Sequence, residues 1–311
     1  MAFDFSAVVA PFRMRPGLQR LAPGAPQLTP IRPGDRAYRE KLAVLSSFAG
    51  EALVAVPRFD AAQVLSTVAD QSASERHGAF LQHGKASFSA PRLGWAVRDG
   101  RPEGDGPREV GACLSALPDA VRSAALLSLA FAEDFAVLDG ATGCVPWLAV
   151  CLPSTWAPEE KVGRHFTHIH APVADNDALL AASTALVDLV TQGDRWERYV
   201  WTLTDDPRLH RHPRRAPPTH WNSASTPDEL AASTFFRSER QTFMPVTGMR
   251  QAVFTIHVEV RPLRDVVGSP AAAQRLHAAL SSMSAAVLAY RGLGDARDRL
   301  LAWLDAVAAP R

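Results

Sequence analysis

The clearest alternation of apolar and polar positions lies in residues 235–260. Over 251–260, Val253, Thr255, His257 and Glu259 alternate with Phe254, Ile256, Val258 and Val260, the period of a strand whose second set faces the core. Residues 235–246 form a second strand-like run, and Thr247-Gly248-Met249-Arg250 supplies the turn of a hairpin. On the first strand Arg237, Glu239 and Gln241 fall on one face and Ser238, Arg240 and Thr242 on the other. Charge on both faces of a central strand predicts that one face is exposed and the other lines a polar pocket. Residues 198–204 alternate as well, with Arg198, Val200 and Thr202 against Tyr199, Trp201 and Leu203. The unbroken apolar run 145–152 reads as a buried strand, paired antiparallel with 135–138 across the turn residues 139–143.

A helical period appears at 35–48, where Asp35 is a plausible N-cap and Tyr38, Leu42 and Leu45 share a face. Shorter helices are expected at 61–68 and 72–81, a buried helix at 114–132 with a break allowed at Pro118, and another at 177–191 ended by Gly193. Residues 91–111, rich in Gly, Pro and charge, read as a surface loop. Six prolines in residues 1–34 predict an extended arm across the surface, held by Phe12, Met14 and Leu18. Two amphipathic helices are expected at 270–290 and 293–308, covering the sheet or meeting another subunit. The fold class is α+β, an antiparallel sheet with flanking helices. The expected organisation is an arm (1–34), a main domain with helical insertions (35–265) and a C-terminal helical extension (266–311).

Composition narrows the function classes. Of 311 residues 47% are hydrophobic and 21% charged, and the net charge is +1, so no bulk field recruits nucleic acid or an anionic membrane. Three cysteines with no CxxC pair argue against a disulfide framework or zinc ribbon. With no secretory pattern at the N-terminus and no run long enough to span a bilayer, a soluble, cytoplasmic protein is expected.

Residues 144–173 concentrate the candidate chemistry. The strand leads through Pro153 and Ser154 into Trp156, Pro158, Glu159 and Glu160, a helix start with acids in its first turn, ended by Gly163. His165, His168 and His170 follow within six residues. On an extended segment 168 and 170 share a face; on a helix 165 and 168 do. No carboxylate or thiolate stands at a recognisable metal spacing beside them, and a structural histidine is the simplest reading of each. The basic, proline-rich stretch 205–218 reads as a solvated connection or as a docking surface for an acidic redox partner.

Four ordered blocks change the picture: EDFAVL (133–138), CLPSTWAPEEKVG (151–163), IHAPV (169–173) and FFRSERQTF (235–243). With an FRMRPGL-like segment at 12–18, they resemble the haem-dependent oxidative N-demethylase-like family over roughly residues 10–265. The resemblance implies a PAS-like fold carrying haem b, with His170 as the axial iron ligand at the centre of its block, stiffened by Pro172. His168 is the rival ligand, and thiolate ligation by Cys151 is a further alternative. Arg164, Arg198 or Arg240 are expected to meet the propionates. Arg198 and Trp201 keep an Arg-x-Asn-Trp pattern of the family and are expected beside the cofactor, but Val200 stands where the Asn would be.

The implied reaction is O2-dependent removal of a methyl group from a small N-alkyl amine, releasing formaldehyde. Binding an ammonium calls for an acid, for which Glu239 is the candidate, with Arg240 orienting oxygen; a buried Glu–Arg pair without a catalytic role is the alternative. The chain has no GxGxxG fingerprint and no four-cysteine set. Electrons are therefore expected from a separate flavin or iron–sulfur reductase. A haem- or ligand-binding PAS-like sensor, or a non-catalytic scaffold, is the competing function.

Overall fold

Strand pairing follows the alternation. The computed structural model describes Phe3 and residues 5–309. Its strands are β1 (Gln19–Arg20), β2 (Leu53–Ala55), β3 (Leu81–Gly84), β4 (Ser87–Ala90), β5 (Trp95–Arg98), β6 (Arg101–Gly104), β7 (Asp134–Asp139), β8 (Trp147–Ala149), β9 (Trp196–Thr204), β10 (Phe235–Pro245) and β11 (Gln251–Pro262). Seven form an antiparallel sheet in the order β1-β9-β10-β11-β7-β8-β2, and β3 to β6 form a four-stranded meander. With helices on the sheet, the class is α+β.

The expected hairpin is β10 and β11, at the middle of the large sheet. Glu239 opposes Val258 and Gln241 opposes Ile256; on the other side Glu239 opposes Val200 and Gln241 opposes Arg198. Paired residues project to the same side. One face therefore carries Arg198, Val200, Glu239 and Gln241, continuing through Phe254 to Ala136 on β7. The opposite face carries Trp201, Ser238, Arg240 and Thr242.

Each face has its own cover. On the Trp201 face, Trp201 and Phe236 pack with Val8 and Phe12 of the arm and with Leu276, Leu280 and Trp303 of the C-terminal helices. Further along, Phe135 and Val137 pack with the helix Asp119–Ala130. The Arg198 face is covered by the crossover between β8 and β9, whose helix Ser183–Thr191 places Val187 and Val190 on Leu138. The arm lies across the surface as expected: Phe12 meets Trp201 edge-on at 5.8 Å, and Gln27 and Leu28 donate backbone N–H groups to Glu75.

Several expectations are corrected. Residues 91–111 are ordered, carrying β5, β6 and the start of the helix Arg108–Ala116; Asp99 and Gly100, both at positive φ, make the tight turn between the strands. The helices expected at 61–68 and 72–81 are one, Ala62–Ser74, after which β3 begins. Asp35 occupies the N-cap position, but its carboxylate accepts from the Arg32 N–H instead of the helix. The stretch 177–191 breaks at Ala182 into Asp177–Ala181 and Ser183–Thr191. The helix expected at 270–290 ends at Ser281, because Ser284 caps a new one, Ala285–Tyr290.

The acids of the EDFAVL block have a structural role. Lys41 is fully buried, 3.1 Å from Asp134, and donates to the Glu133 carbonyl at 2.5 Å. The other Asp134 oxygen accepts the Leu152 N–H at 2.6 Å, so helix Arg36–Ala52, β7 and the exit of β8 are tied at one point.

Candidate functional site on the Arg198 face of the sheet

The site begins with the turn after β7. Asp139 Oδ1 accepts from the N–H groups of Ala141 and Thr142 at 3.0 and 2.9 Å, and Gly143 follows at φ +67°. A Cβ there would stand 2.4 Å from His165 Nε2, so only glycine lets this ring lie on the turn. The Phe166 N–H donates to the Gly143 carbonyl at 2.8 Å and Val145 N–H to Arg164 at 3.1 Å. His165 caps the helix Phe166–His170 by accepting from Thr167, and Asn176 Nδ2 donates to the carbonyls of His170 and Ala171 at its other end.

That short helix fixes His170. Its ring lies 4.1 Å from the Phe166 ring, and its Nδ1 is 2.8 Å from the Phe166 carbonyl oxygen. A carbonyl only accepts, so Nδ1 carries the hydrogen and Nε2 presents its lone pair. Burial lowers the His170 pKa to about 4, the carbonyl bond opposes the shift, and the charges of Arg198 and Lys161 add to it. The imidazole is neutral at physiological pH.

On the sheet, Arg198 is near enough for its charge to act on His170, and its strand neighbours belong to a polar group. Ser154 donates to Glu239 Oε1, and Gln241 Nε2 donates to Glu239 Oε2 at 2.6 Å. Arg237, 3% exposed, donates from Nε to Ser154 Oγ at 2.8 Å and to the carbonyls of Arg208 and Leu209 at 3.0 and 2.8 Å. The Arg198 side chain has neither a hydrogen bond nor an ion pair among the described residues, and its Nε is sealed from solvent. Burial, the larger influence, lowers its pKa, with Glu239 opposing. Thr155, next to Ser154, is held at φ +64°, an unfavourable conformation for a β-branched residue. Apolar surface adjoins the group: Phe254, Trp156, Val145 and Val162 pack on Ala136, Leu148 and Val150.

The sequence-derived residues thus divide. His170, Arg198 and Glu239 come together on one side of the sheet. Arg240 and Trp201 do not. Arg240 points to the opposite face, paired with Glu197 at 2.9 Å and donating to the Pro26 carbonyl, because consecutive strand residues face opposite ways. Trp201 is core, stacked on Phe236 at 5.7 Å. Arg164 and His168 are exposed on the segment that carries His170. Cys151 is fully buried, and desolvation, then the charge of Asp134, pushes its thiol far above the ordinary range, which disfavours a thiolate ligand.

The stretch 205–218 is not a free basic surface. Arg208 and Arg211 pair with Asp206, Arg214 with Glu159 and Glu51, and Arg215 with Glu51. His212 is 1% exposed and bonds Glu159. Ser154, which in sequence belongs to a helix start, instead bonds Glu239, and Gln241 and Arg237 complete the group; the parity of Arg237, Glu239 and Gln241 on one strand face is the signal for the last two. A cleft of about 460 Å³ between Thr226 and Trp303 touches none of these groups.

One family model matches residues 115–301: haem-dependent oxidative N-demethylase, alpha subunit-like. The span covers more than half of the chain and includes His170, Arg198 and Glu239. No helix among the described residues is long and apolar enough to cross a membrane.

Proposed function

This chain belongs to the haem-dependent oxidative N-demethylase, alpha subunit-like family, and on that premise we propose that it binds haem b through His170 and demethylates an N-methyl amine. The observation that carries the reading is the His170 imidazole. Its Nδ1–H is committed to the Phe166 carbonyl, which fixes the tautomer and aims Nε2, as a carbonyl accepting from the other ring nitrogen does for a metal-binding histidine.

The residues present fit the group. Nε2 is a neutral nitrogen donor, the apolar surface of Phe254, Trp156 and Val162 suits a porphyrin, and Lys161, whose charge acts on His170, with Arg164, exposed on the same segment, would supply cations for the propionates. When bound, the haem supplies oxygen activation. The balanced reaction consumes the N-methyl amine, O2, two electrons and two protons and yields the demethylated amine, formaldehyde and water. Glu239 holds the ammonium, and the Ser154 and Gln241 donors keep the carboxylate oriented for it.

Electrons come from a separate flavin or iron–sulfur partner. The alpha-subunit description supports this, as do cysteines too few for a cluster, with Cys113 and Cys151 buried. The strand order β8-β7-β11-β10-β9, in which a helical crossover separates a hairpin from a three-strand meander, supports a PAS-like main domain, with residues 1–34 and 266–311 as its accessories. The test is formaldehyde release from haem-loaded protein given a chemical reductant, oxygen and an N-methyl amine. Formaldehyde in proportion to the demethylated amine supports the reading; a haem-loaded protein that releases none contradicts it.

A further inference from the structure

Arg198 and Glu239 are diagonal neighbours on adjacent strands, since Arg198 opposes Gln241 and Val200 opposes Glu239. Diagonal positions lie within reach of long side chains, and opposite charges there ordinarily pair. Here they do not. Both Glu239 oxygens are engaged, by Ser154 and by Gln241. Because Arg237 Nε–H occupies a lone pair of Ser154 Oγ, the single Ser154 hydrogen points at Glu239. Arg237 is itself locked to backbone carbonyls. On the other strand Arg198 is left with its Nε out of water and without a partner.

A buried donor without an acceptor costs roughly 1–3 kcal/mol; that donor here is the Arg198 Nε, and with no bond to the rest of its half-buried guanidinium, the group calls for an anion from the ligand. The neighbouring carboxylate, held open by two donors, calls for a cation. Apolar Val200 lies between them on the same face. The arrangement is complementary to one small molecule carrying both charges.

We propose that the substrate is a zwitterion, an N-methylated amino acid whose carboxylate pairs with Arg198 and whose methylammonium pairs with Glu239. This rests on the amine-oxidising reading above and names its substrate class.

The experiment is calorimetric titration of haem-loaded protein with N-methylglycine and with dimethylamine, which differ by the carboxylate-bearing group. The wild type binds N-methylglycine at least tenfold more tightly. Arg198→Met removes that preference while keeping haem content and melting temperature, because Arg198 supports no internal bond; Glu239→Gln weakens both ligands. Equal affinities in the wild type overturn the zwitterion assignment alone. Loss of haem by Arg198→Met with the ligand preference intact overturns it too, by giving Arg198 to a propionate. Haem-loaded protein that binds neither amine overturns the amine reading itself.

Discussion

His170 Nδ1 donates to the carbonyl oxygen of Phe166, four residues earlier, at 2.8 Å. The bond holds the imidazole in one tautomer at the end of a helix of five residues. Burial of the ring, against which this bond works, lowers the His170 pKa, and one component of the protein's pH dependence follows from it.

In the folded chain the His170 pKa is about 4, whereas an unperturbed histidine titrates near ~6.5. As pH falls from ~6.5 toward 4 the unfolded chain takes up a proton that the folded chain refuses, so stability declines across that window, by no more than about 3 kcal/mol. The contribution is complete above the window. Denaturant titrations at several pH values check this: His170→Ala should lose that part of the slope. Haem retention should stay level down to about pH 5 and fall only toward pH 4, since protonation of Nε2 competes with the iron.

Gly143→Ala should act at a distance on the same ring. The added methyl meets His165 at 2.4 Å on a backbone at φ +67°, so the Phe166–His170 helix must shift off the β7–β8 turn. A stability loss of about 1–3 kcal/mol and a haem affinity at least tenfold weaker are expected. Haem titration of the variant, alongside its melting curve, reads both.

Lys41→Ala should cost about 3–5 kcal/mol, because it leaves Asp134 buried without its cation. Lys41→Met with Asp134→Asn should cost less, since the amide still faces the Leu152 N–H with no stranded charge. Urea denaturation of the two variants decides it; equal losses would place the stabilisation in packing instead of the pair.

Legibility varied with the kind of pattern. The central hairpin was readable because strict alternation over ten residues admits one register. The strand parity of residues 237–242 already separated Glu239 from Arg240, yet only the pairing with β9 told which face meets His170. The β5–β6 hairpin was hidden because its strands have four residues each and include Pro102 and Gly104, so turn residues outweighed alternation. Nothing in the local period marks Lys41 for burial, which depends on Asp134, 93 residues away. The 205–218 stretch looked basic because the partners of Arg214 and Arg215, Glu51 and Glu159, lie in other segments.

The most direct test of the central claim is the visible spectrum of the protein expressed with added haem precursor, oxidised, reduced, and reduced with carbon monoxide, beside His170→Ala. The wild type should show a Soret band of the nitrogen-ligated kind, and His170→Ala should lose it while keeping its far-UV circular dichroism. A band of unchanged position and intensity in His170→Ala, or a thiolate-type carbon monoxide band in the wild type, would contradict that claim.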